Sequence, residues 1–69
     1  MLYEIAATVE TDEGTWKRLR QVPTFYLDSN VQGICGPADA ESIATRILGG
    51  YDMPGVTVHV TATPFEEVI

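Results

Sequence analysis

A lone cysteine and a lone histidine are the pair of types that thiol catalysis uses. Cys35 stands just ahead of Gly36 and Pro37, where the clearest helical stretch begins, and the positive end of a helix favours a thiolate. His59 is the single histidine, so it is the one histidine able to serve that thiolate as a base. Neither lies in a nucleophile motif. A free cysteine more often behaves as a small buried hydrophobe, and that is the reading adopted for Cys35, with His59 as a solvent-facing or interface residue. One cysteine and one histidine do not supply the four ligands of a zinc site. Glu10, Asp12 and Glu13 crowd one turn, but their spacing matches no calcium loop. Asn30, Gly33 and Gly36 suggest a phosphate cradle, yet no Lys followed by Ser or Thr comes at P-loop spacing. The expectation is therefore no catalytic residue, no metal and no cofactor.

Recognition chemistry is better represented. Tyr3, Trp16, Phe25 and Tyr26 are large aromatics around the first two strands, and aromatics serve either cores or binding hot spots. Lys17, Arg18 and Arg20 are three of the chain's four basic residues. Against ten acidic residues and a net charge of −6 they make the molecule dipolar, which favours oriented association. The same acidity argues against a nucleic-acid partner, since phosphate binding needs clustered Lys and Arg. A single cysteine excludes an internal disulfide and suits a reducing compartment. The sequence has neither a signal-peptide pattern at its start nor an apolar run near the roughly 20 residues of a membrane span. A complete, cytoplasmic chain is the expectation, and 69 residues allow one domain, 1–69.

The elements that would position these residues follow from periodicity. From Leu2 to Glu10, Tyr3, Ile5, Ala7 and Val9 share one face, the alternation of a half-buried strand. Thr11 to Gly14 forms a turn, with Gly14 free to take a positive φ in a bulged hairpin loop. A second strand runs from Thr15 to Val22, is interrupted at Pro23 and resumes over 24–27. Its phase is imperfect, because Leu19 opposes Trp16 and Val22. A bulge would repair it, or arginine stems would cover the apolar surface. Val31 and Ile34 are expected to plug the core from an ordered loop. The one helix runs from Pro37, with Gly36 as N-cap and Gly49 as the left-handed residue that closes it, which makes Gly49 more sensitive to substitution than Gly50. Ala40, Ile43, Ala44, Ile47 and Leu48 form its apolar stripe, with Ile43 and Ile47 as anchors. Val56 to Thr63 alternates without fault, Pro64 ends that strand, and Phe65 pins the tail.

The fold class expected is α+β: a two-layer ββαβ domain whose three-stranded, mainly antiparallel sheet carries one helix on one face. The preferred strand order is 3-1-2 with a right-handed crossover, since the first strand is the more apolar; 1-2-3 is the alternative. In the 3-1-2 order the last strand is a sheet edge without Lys, Glu or internal Pro. An edge of that kind pairs with another strand, so a homodimer is expected. Its two His59 side chains would face each other across the two-fold axis. The interface candidates are Trp16, Arg18 and Arg20 on one strand and Val58, His59, Val60 and Thr61 on the other.

The segment 21–34, read as QVPTFYLDSNVQGI, is followed by an Ala-rich helix and a Val-His-Val strand. In this it resembles small uncharacterised accessory proteins of actinobacterial phages. The resemblance implies a phage accessory factor made in the bacterial host cytoplasm and carries no catalytic residue across. The function expected is thus a small acidic, non-enzymatic protein that binds a host protein. The alternatives are a nucleic-acid mimic that blocks a DNA-binding protein, and a small thiol enzyme using Cys35 and His59.

Overall fold

A computed structural model describes residues 1–65. The chain runs β1 (Leu2–Asp12), β2 (Lys17–Asp28), α1 (Ser29–Gln32), α2 (Pro37–Ile47) and β3 (Val56–Phe65). The fold is α+β, one open sheet in the order β2-β1-β3 with both pairings antiparallel. The most apolar strand is central, as its composition requires. The tail 66–69 lies outside the described residues; Phe65 itself packs on Tyr26, ring centroids 5.5 Å apart.

Gly14 (φ +88°) and Thr15 join β1 to β2. The N–H of Glu13 donates to the carbonyl of Trp16 at 2.9 Å, so the loop holds two residues and the expected bulge is not in it. A positive φ at its first residue and none at its second is the type II′ pattern, whose twist matches the strands. The bulge lies further on: Ile5 pairs with Phe25 but Ala7 with Val22, leaving the extra residue at Pro23–Thr24. Pro23 lacks a donor and sits where the ladder is already interrupted. The bulge brings Val22, Phe25 and Leu27 onto one face. It does nothing for Leu19, which stays on the opposite face, 65% exposed.

Tyr3, Ile5, Leu27, Ile34, Ala40, Ala44 and Ala62 form the core, with Phe25, Ile43 and Val60 packed against it. Ala40, Ala44 and Ile5 are each 0% exposed: the helix meets the central strand through its alanines. α2 packs on β3 and β1. The expected anchor Ile47 is instead 58% exposed. Side chains step about 100° around a helix, and the contact direction turns along this one. Ala40 and Ala44 make the contact early. At the last turn Thr45 and Gly50 face Val58, a Cβ built on Gly50 lying 2.5 Å from Thr45 Cγ2 and 3.1 Å from Val58 Cγ2. Ile47 points away from that direction.

α2 closes as expected. Gly49 has φ +83°, its N–H donates to the Arg46 carbonyl at 3.1 Å, and the N–H of Gly50 donates to the Thr45 carbonyl at 2.8 Å. This is a Schellman cap. It puts two glycines under constraint, Gly49 by its φ and Gly50 by its lack of space. The expectation that Gly49 is far more sensitive than Gly50 took account of φ and not of the space at Gly50.

α1 is a second helix that the sequence reading takes for a loop. Asp28 caps it, its carboxylate accepting from the N–H of Asn30 at 2.9 Å, and Gly33 closes it at φ +67°. Ile34 then drops into the core, but Val31 points outward, 77% exposed; the left-handed Gly33 (φ +67°) turns the chain between them, so Ile34 leaves the helix and does not continue the face of Val31.

Candidate interaction edges

The N–H of Asp12 donates to the carbonyl of Gly55 at 2.8 Å. That bond fixes the phase of the β1–β3 ladder, because antiparallel pairs alternate between bonded and non-bonded positions. Thr57, His59, Thr61 and Thr63 turn their backbone groups to β1. Val58, Val60 and Ala62 turn theirs to the outer edge. Pro64, with no N–H, falls in the outward set, where its missing donor breaks nothing; β3 therefore runs through it to Phe65. Across this edge no charged residue occurs from Val56 to Phe65.

The same alternation sorts side chains by face. Val58, Val60 and Ala62 lie opposite Val9, Ala7 and Ile5 on the helix-covered face. His59 lies opposite Thr8, which lies opposite Gln21, so one polar row crosses the open face. Beside it the small side chain of Ala6 leaves a shallow depression of about 510 Å³, lined by Thr8, Gln21, His59 and Thr61 among others. Cys35 is exposed rather than buried. It precedes α2 on the covered side, and its N–H donates to the Asp39 carboxylate at 3.0 Å. Cys35 and His59 thus lie on opposite faces of the sheet, and the structure does not bring them together.

The hairpin carboxylates are occupied. Glu10 pairs with Lys17 at 3.4 Å, Glu13 with Arg18 at 3.7 Å, and Asp12 accepts from the N–H of Gly14 at 3.0 Å. Trp16, an expected core candidate, is 54% exposed; it ends the hairpin beyond the reach of α2, and the Arg18 guanidinium stands 5.7 Å from its ring centroid. Gly33 and Gly36 serve as helix boundaries. The interface candidates therefore divide into two regions at opposite sheet edges, Arg18 and Arg20 on β2 with Trp16 just ahead of it, and Val58, His59, Val60 and Thr61 on β3. The aromatic pair Tyr26–Phe65 on the open face went unnoticed in the sequence. Its signal lies in register, since Tyr26 and Phe65 oppose neighbouring positions of β1, Glu4 and Leu2.

Among the described residues no helix is long and apolar enough to cross a membrane. Comparison of the chain with protein-family models, with curated proteins and with solved structures finds no match.

Proposed function

We propose that this is a non-enzymatic binding protein that works as a homodimer joined through β3. The observation that supports it is the uncharged β3 edge, with the backbone groups of Val58, Val60 and Ala62 directed outward. A second copy related by a two-fold axis offers the same groups in reverse, giving a continuous six-stranded sheet. An axis at His59 pairs Val58 with Val60 of the second copy, and the reverse, as hydrogen-bonded positions. The two His59 residues then form the close, non-bonded pair, about 4.5 Å between Cα atoms. Both α2 helices lie on one face, and both open faces join on the other.

The partner proposed for the dimer is a bacterial host protein, in keeping with the resemblance to phage accessory factors and with a cytoplasmic location. Light scattering at tens of micromolar and pH 8 tests the dimer: twice the 7.5 kDa chain mass is expected, and a monomer overturns it. Pull-down from host lysate tests the partner, with a stoichiometric protein expected.

A further inference from the structure

Strand alternation separates charge in the hairpin arm. Glu4, Glu10 and Asp12 of β1 share the open face with Lys17. Arg18 and Arg20 lie opposite Thr11 and Val9 on the other face, where α2 packs on β3 and β1 and leaves this part of β2 exposed. Among the described residues, Arg20 has no carboxylate within 4.0 Å, and Arg18 has only Glu13, in the turn. Beyond them stands Trp16, stacked under Arg18. On an acidic molecule this is a cationic and aromatic stripe, made of the residue types that dominate binding hot spots.

We propose that Trp16, Arg18 and Arg20 form a docking surface for an acidic, extended segment of a partner protein. Arg18 and Arg20 are two strand steps apart, about 6.8 Å. Side chains at alternate positions of an extended peptide repeat at the same distance, so two carboxylates there meet both guanidiniums, which match carboxylates in bidentate geometry. The Trp16 ring offers apolar area to the residue that follows. A polyphosphate partner is disfavoured by the net charge of −6. The inference rests on the binding-protein reading and is independent of the dimer.

Trp16 is the only tryptophan, so its emission reports on the stripe directly. The probe is a twelve-residue peptide of alternating Glu and Thr, titrated at low salt into the full chain. A peptide of the same composition with its glutamates in one block, and a twelve-nucleotide oligothymidine, are the comparisons. A saturable change with the alternating peptide is expected. It should weaken about tenfold in the double variant R18Q/R20Q, the sum of two exposed charge pairs. Arg46→Gln, on α2, should leave it unchanged. Thr61→Lys should too, even where it dissociates the dimer, which separates this test from that of the β3 edge. Absence of a saturable response up to millimolar peptide overturns the proposal, as does binding that R18Q/R20Q does not weaken. Equal binding of the block peptide overturns the extended register, and tighter binding of oligothymidine reassigns the stripe to nucleic acid.

Discussion

The two edges of the sheet are built on opposite principles. β2 carries Lys17, Arg18 and Arg20 and is interrupted by Pro23 at a bulge, features that keep a strand from accepting arbitrary neighbours. β3 carries no formal charge, runs unbroken along β1 from Val56 to Phe65, and is braced by α2. In the proposed reading one edge selects by side-chain charge. The other offers a backbone template that any matching strand completes. A protein of this size gains most by giving the template to itself, because pairing two copies enlarges a core that is small for a lone chain.

Proline on each edge breaks the comparison most sharply. The Val58 N–H points outward, so Val58→Pro removes a donor from the free edge and none from the β1 ladder. Each dimer loses two hydrogen bonds and the close approach of two strands, about 3 kcal/mol, so dissociation should rise about a hundredfold. Gln21→Pro removes the equivalent outward donor on β2 and should leave the mass in light scattering unchanged. If Gln21→Pro yields monomers and Val58→Pro does not, the roles of the two edges are reversed.

The brace on β3 is tested next. Ile43→Ala removes a half-buried side chain packed on the core and should cost about 2 kcal/mol. Ile47→Ala, at an exposed position, should stay within about 0.5 kcal/mol. Chemical denaturation that found the two equal would restore the broad apolar stripe and place Ile47 on the sheet.

The glycines at the end of α2 give a smaller and closer contrast. Gly49→Ala places a Cβ at φ +83°, a left-handed cost of about 1–2 kcal/mol. Gly50→Ala drives a Cβ to 2.5 Å from Thr45 Cγ2 and should cost at least as much by overpacking, about 1–3 kcal/mol. A neutral Gly50→Ala in thermal melts would show that Thr45 and Val58 yield easily and that the brace is loose.

What the sequence conveys and what it withholds divide along physical lines. The strands of Tyr3–Val9 and Val56–Thr63 are legible because a period of two needs nothing beyond neighbours in the chain. The 3-1-2 order follows from which strand is apolar enough for the centre, and the bounds of α2 from Pro37 and Gly49. Ile47 misleads because periodicity gives a direction around the helix and not the angle at which the helix crosses the sheet. Leu19 misleads because its apolar type suggests core, whereas pairing with Glu10 sets it on the open face and the bulge falls beyond it. Val31 and Cys35 are apolar by type, and only the space beside them decides which residues are covered. The candidate site was half legible: its residues and the two edge strands that carry them were named, but which of their side chains share a face appears only with the register.

The smallest effect concerns His59. In the proposed pairing the two imidazoles stand side by side on the open face. The charged group nearest in register is Glu10, opposite Thr57, and Glu10 is engaged by Lys17. Thr8 and Gln21, which complete the row, are neutral. His59→Lys sets like charges together in a solvent-exposed pair, a cost of about 1 kcal/mol. The monomer carries a single isolated ammonium and the dimer two in contact, so the substitution favours dissociation, by about fivefold. Sedimentation at low salt should show it, and His59→Gln should keep the dimer. A dimer that His59→Lys leaves unchanged would move the axis off His59, to the register centred on Val60 in which position 59 meets Thr61 of the second copy.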